Sequence, residues 1–230
     1  YVKAHPKKDL HLSITSNCCP PGEQWSKFMT SVSELVEKEA LDHFMLYCSL
    51  DSWGTQAEYI RTGMDFDRLL QNIREYLTLD DRHSLSFINT FNILSYSGFL
   101  EFVKNILKLR QEFNTTRQLI WFDVPQLHSP QWLSAKVRPE MAEGLVEVLQ
   151  FMRANVETEE TPFKGFKDYE ISKVQRLIDW IRSPIEFDKE LAMRNFYSYI
   201  VESDRRNGTD FLTVFPELET FFEECKIKNG

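Results

Sequence analysis

Glycine and proline are scarce in this chain, eight and nine in 230 residues, which argues against a low-complexity or disordered protein and against a repeat array. Cysteine is sparse as well, four in all, too few for the disulfide scaffold of a small secreted protein. No apolar run approaches the roughly 20 residues that span a bilayer, and the first residues lack the apolar core and cleavage site of a signal peptide. A cytoplasmic location without a membrane partner is therefore expected. Positive charge is in deficit: 27 Lys and Arg against 35 Asp and Glu give a formal charge of −8. That sign argues against general nucleic-acid binding, which depends on neutralising phosphates. Gly-x-x-x-x-Gly-Lys, Gly-x-Gly-x-x-Gly and Gly-x-Ser-x-Gly are all missing, and with them P-loop, dinucleotide and serine-hydrolase chemistry lose their sequence support. The five histidines are scattered, with no His-x-x-x-His or carboxylate spacing for a metal.

Apolar residues make up 42% of the chain, with eighteen Phe among them, enough for a packed core. They are ordered as alternating units. Residues 10–16, 43–50, 84–92 and 118–124 read as strands. Between them Trp25, Phe28, Met29, Val32, Leu35 and Val36, then Leu69, Leu70, Ile73 and Leu77, then Phe99 to Phe113 recur at helical spacing. Such alternation predicts βα units and a parallel sheet, so the fold class is α/β. After Pro125 the pattern turns helical, with helices expected near Pro139–Asn155, Tyr169–Arg182 and Phe187–Glu202, then a short segment ending at Phe221-Phe222 and a Lys-rich tail. The chain thus divides into an α/β part, 1–125, and a mostly helical extension packed on it, 126–230. Four strands are too few to close a barrel by themselves.

Three of the strands end in hydroxyl or amide groups: Thr15-Ser16-Asn17, Ser49-Leu50-Asp51 and Asn89-Thr90-Phe91-Asn92. Ligands bind at the carboxyl rim of such sheets, so one shared site is expected there. Arg61 can grip a carboxylate with its planar fork. Against each functional reading stands a plainer one: Asn89 and Asn92 as turn caps, Ser16 and Asn17 as helix caps, Asp123 paired with a neighbouring cation, Trp53 and Trp121 as packed aromatics. Adjacent Cys18 and Cys19 read as ordinary packing, with no third ligand nearby.

Ile14-Thr15-Ser16-Asn17, Ser49-Leu50-Asp51, and Arg61, Gly63, Phe66, Asp67, Asn72 and Ile73 in their order resemble the radical S-adenosylmethionine (radical SAM) superfamily, and within it the twitch-domain relatives of the SPASM group. Asp204-Arg205-Arg206-Asn207-Gly208-Thr209-Asp210-Phe211, leading to Phe215-Pro216-Glu217-Leu218, resembles the ending of that group. The resemblance implies strands three to six of a six-stranded open barrel. It also implies SAM and a [4Fe-4S] cluster as cofactors, and an activity that cleaves SAM reductively and abstracts hydrogen from a substrate, a peptide or a small molecule. The reductant would be a ferredoxin or flavodoxin. On this reading Ser49 and Asp51 meet the amino or ribose groups of SAM, Arg61 its carboxylate, Asn92 and secondarily Asn89 its ribose or methionyl part; Asp123 approaches adenine or substrate, and Thr15, Ser16 and Asn17 line the rim.

The defining Cys-x-x-x-Cys-x-x-Cys loop is absent, as is Gly-Gly-Glu-Pro; the cysteines are Cys18, Cys19, Cys48 and Cys225. The chain, starting at Tyr1, reads either as the carboxyl-terminal part of a longer enzyme, with the cluster ligands upstream and no activity by itself, or as a degenerate relative. Two rival functions stand beside it: a non-enzymatic α/β interaction module, and a different α/β enzyme using Asp51 and Asp123 as acid and base.

Overall fold

A parallel sheet forms first along the chain, each strand reached through at least one helix. In a computed structural model, which describes residues 2–7 and 9–229, β1 (His11–Ser16), α1 (Gly22–Glu37), β2 (His43–Ser49), α2 (Thr55–Ile60), α3 (Phe66–Leu77), β3 (His83–Ile88), α4 (Phe99–Phe113) and β4 (Ile120–Asp123) follow one another. The strands lie in the order β1-β2-β3-β4, all neighbours parallel, as βα crossovers of one hand require. The remaining α-helices among the described residues are α5 (Met141–Ala154), α6 (Asp168–Arg182), α7 (Lys189–Asn207), α8 (Phe211–Val214) and α9 (Glu219–Asn229). The fold is mixed α/β with a four-stranded parallel sheet, and no closed barrel is formed among the described residues.

The register sorts the side chains onto two unlike faces. Phe44, Leu46 and Cys48 of β2 align with His83, Leu85 and Phe87 of β3, and Leu85 and Phe87 with Ile120 and Phe122 of β4; all are buried. Helices cover this face. Phe28 of α1 and Tyr76 of α3 meet Phe44 at ring separations of 6.1 and 6.2 Å, and Phe102 of α4 meets Phe87 and Phe122 at 5.9 and 6.4 Å. α3 earns its place by spacing, since Phe66, Leu69, Ile73, Tyr76 and Leu77 fall on one side of the helix, and Asp65 caps its start by accepting from the Arg68 amide. On the opposite face His43, Met45, Tyr47 and Ser49 stay partly exposed, although β2 has a strand on either side. Interior strands of parallel sheets are usually buried on both faces. Here one face is covered unevenly, open along β2 and closed over Ser84 and Ser86 of β3.

Strands three and four are shorter than their sequence predicts. β3 stops at Ile88 because Asn89 and Asn92 spend their amides on loop carbonyls, Asn89 on Asp51 O and Asn92 on Thr90 O; beyond Ile88 only Phe91 bridges back, to Gln126. β4 begins at Ile120 because the Gln118 side chain donates to Leu77 O and the Leu119 amide to Ser84 Oγ. At the other end, the expected short segment and Lys-rich tail are helical. Leu218, Phe221, Phe222 and Cys225 recur at helical spacing, Phe221 stacks 5.2 Å from Phe196 of α7, and Lys228 pairs with Glu190. α7 runs on to Asn207 and ends at Gly208 in the left-handed region.

The helical extension is tied to the sheet by a buried ion pair. Arg110 of α4 donates from Nε to Ile120 O of β4, from Nη1 to Gly165 O at 2.9 Å and to Glu170 Oε2 at 2.9 Å, and from Nη2 to Glu170 Oε1. Both side chains are almost wholly buried, and the guanidinium lies against the rings of Phe122 and Phe166. Removing one partner strands a buried charge, so Arg110→Met is expected to lower stability by about 3–5 kcal/mol in urea unfolding, with much of the loss recovered in Arg110→Met/Glu170→Leu.

His83 carries a second expectation. Fully buried, with neither ring nitrogen hydrogen-bonded among the described residues, it stacks on Tyr76 at 5.2 Å. Burial, opposed by nearby Asp80, lowers its pKa from 6.5 to about 4. The folded state therefore binds fewer protons than the unfolded state between those values, and stability should fall as pH drops from 6.5 toward 4, by about 3 kcal/mol at most. Denaturant titrations from pH 7 to 4 on the wild type and His83→Phe check this: the variant should lose that part of the slope.

Candidate functional site

The rim begins where β2 leaves the sheet. Leu50 still donates to Ile88 O, and Asp51 then turns inward. Its carboxylate accepts from the Thr90 amide at 3.0 Å and faces Arg61 Nη2 at 2.7 Å, while Asn89 Nδ2 donates to its carbonyl at 2.8 Å. One acidic residue thus joins the turns after β2 and β3 and the end of α2. Burial raises the Asp51 pKa above the usual carboxylate value, opposed by the Arg61 charge and the Thr90 hydrogen bond. Arg61 is about one-third exposed, but its Nε is buried without a partner among the described residues, as is Asn89 Oδ1.

Glycine makes the turn possible at two positions. Gly54 adopts φ 60°, ψ −140° just before α2, a combination that side chains with a Cβ avoid. At Gly98 a Cβ would come within 2.2 Å of Ser52 Oγ, so α4 starts hard against the rim.

The other motif residues serve the scaffold. Ser16 Oγ accepts from the Cys18 amide and Asn17 Oδ1 from the Cys19 amide, fixing the turn between β1 and α1. Asn72 of α3 donates to Cys18 O at 3.0 Å, Glu58 accepts from the Phe66 amide, and Cys19 Sγ exchanges hydrogen bonds with the backbone of Asp65. Asn92 is folded onto its own loop, donating to Thr90 O and accepting from the Leu94 amide. Trp53 packs edge-on against Phe66 at 4.9 Å.

The open face supplies a second group. Register aligns Thr15, Tyr47, Ser86 and Trp121 in one row and Ser49, Ile88 and Asp123 in the next, nearer the rim. Tyr47 and Ser86 were not singled out from the sequence; the period-two reading of a strand places them on the face of Ser49. Asp123 pairs with Lys173 of α6 at 2.8 Å, and Trp121 lies beside Tyr169 under the Lys167 ammonium. The structure therefore gathers Asp51, Arg61 and Asn89 at the rim, sets Thr15, Ser49 and Asp123 on the adjoining face, and turns Ser16, Asn17 and Asn92 into their own loops. Clefts of about 410–560 Å³ open elsewhere, against the helical extension.

The thiols do not suit an iron–sulfur cluster. Cys18, Cys19, Cys48 and Cys225 are all buried. Cys48 hydrogen-bonds with Cys18, which together with burial raises its pKa, and burial pushes Cys225 up to about 12; a cluster needs thiolates. Among the described residues no group of three His, Cys, Asp or Glu could hold a metal ion. No described helix is long and apolar enough to cross a membrane.

Comparison of the chain with protein-family models, with curated proteins and with solved structures found no match.

Asp51→Ala should therefore act locally and visibly. The Thr90 amide loses its acceptor and Arg61 its counter-charge, so stability should fall by about 1.5–3 kcal/mol. Hydrogen exchange at Thr90 should quicken by at least about tenfold. Ser49→Ala should leave both nearly unchanged.

Proposed function

We propose that this chain forms the carboxyl-terminal half of a radical SAM barrel, and that its rim helps to bind SAM. The observation that carries the reading is the unequal cover of the sheet, whose polar face is partly exposed along β1 and β2. A parallel sheet with apolar helices on one face and Thr15, Tyr47, Ser49, Ser86 and Asp123 on the other is suited to a barrel wall whose inner face meets ligand. The exposed β1 edge, where Ile14 is 41% exposed, suits further strands joining there.

SAM is zwitterionic, and the rim offers both signs. Arg61, about one-third exposed, can offer a carboxylate the guanidinium N–H groups that do not face Asp51, without giving up its contact with Asp51. Asp51 then holds the fork in place. When bound beside Arg61 and Asp51, SAM would supply radical chemistry for hydrogen abstraction. Given the buried thiols, the cluster would be held by cysteines outside the described residues.

The test separates binding from cluster chemistry. Iron and sulfide reconstitution of this chain alone should give no stoichiometric cluster absorbance. In a full-length protein carrying the cysteine loop, Arg61→Ala should weaken SAM about ten- to a hundredfold by equilibrium dialysis while leaving the cluster absorbance intact. Unchanged SAM affinity would return the rim to a purely structural role and favour the interaction-module reading, in which Asp51 and Arg61 simply neutralise each other.

A further inference from the structure

Away from the rim, a cleft of about 410 Å³ lies between the segment after β4 and the end of α6. Lys136 lines it, yet the side chain is 92% buried. The ammonium donates to Pro184 O at 2.7 Å, lies 5.6 Å from the centre of the Trp180 ring, and has no ion-pair partner among the described residues. A backbone carbonyl just past α6 offsets part of the cost of burying a cation. It uses one of three N–H donors. The charge and the spare donor capacity remain beside a cleft walled by Trp180 and Phe187. Ser134 adds to it: its oxygen accepts from the Lys136 amide, and its O–H is still able to donate.

From this arrangement we propose a binding site for a small monocarboxylate with a flat apolar body. The carboxylate would sit between the Lys136 ammonium and the Ser134 hydroxyl, and the body against Trp180 and Phe187. Glu186, exposed on the same lining, repels a second negative charge and so disfavours dianions such as inorganic phosphate. His128, whose ring lies 5.4 Å from that of Trp180, completes the aromatic side. None of these residues belongs to the rim, so the proposal does not depend on SAM binding.

Benzoate is the probe, titrated at millimolar concentrations against the ¹⁵N-labelled chain, with the Trp180 indole signal assigned from Trp180→Phe. The expected result is a saturable shift of that signal, with inorganic phosphate binding more weakly and Lys136→Met weakening benzoate at least about tenfold. Glu186→Gln should narrow the gap between phosphate and benzoate. Because Lys136 also anchors the segment after α6 through Pro184, Phe187→Ala provides a second reading: severalfold weaker binding with the fold intact. Non-saturating shifts, shifts confined to other indoles, or unchanged affinity in Phe187→Ala or a folded Lys136→Met would overturn the site.

Discussion

The Arg110–Glu170 pair is the contact on which the two parts of the molecule depend. It is a costly device: two ions leave water, and only tight geometry and further hydrogen bonds make that tolerable. Arg110 meets the demand by spreading its donors over β4, the segment before α6, and Glu170 itself. Hydrophobic contact between Phe122 and Phe166 would hold those layers together but would permit sliding. The guanidinium fork allows one register, and so fixes where α6 meets β4 and hence where Lys173 meets Asp123.

That placement leaves the polar side of the sheet partly uncovered along β1 and β2. α6 reaches only its β4 margin, through Tyr169 and Lys173, while α8 returns to the rim, where Phe211 and Phe215 pack on Tyr59 of α2. The extension therefore borders the face without filling it. A sheet built this way keeps Tyr47 and Ser49 accessible while the apolar side carries the core, and rigidity at the rim comes from Asp51 instead of from packing.

The α/β class and strand order were legible because both rest on periodicity: alternating apolar strands and 3.6-residue helices leave little freedom once crossovers must share one hand. Strand ends were not, since Asn89 and Gln118 read as ordinary strand-end residues until their amides find partners far along the chain, Asp51 and Leu77, and Asn92 until its own loop closes on it. α9 escaped notice because its apolar stripe is only two turns long and runs into Lys226 and Lys228. At the site, the sequence brought Asp51 and Arg61 to attention separately, as two ligand contacts. Their direct pairing depends on how α2 folds back after Gly54, which no local pattern encodes.

Asn72 illustrates how a motif residue can carry structure. Its position after Phe66-Asp67 belongs to the pattern shared with the radical SAM resemblance, yet its amide reaches the Cys18 carbonyl, in the turn between β1 and α1. Cys18 occupies φ 55°, a conformation that a non-glycine residue holds only when its surroundings enforce it. The Ser16 hydroxyl on its amide and Asn72 on its carbonyl provide that enforcement from opposite sides. A turn pinned in this way keeps the end of β1 at a fixed height beside Ser49 and Asp51. Residues away from the strand rim can thus set its geometry, because they hold the backbone from which the rim side chains project.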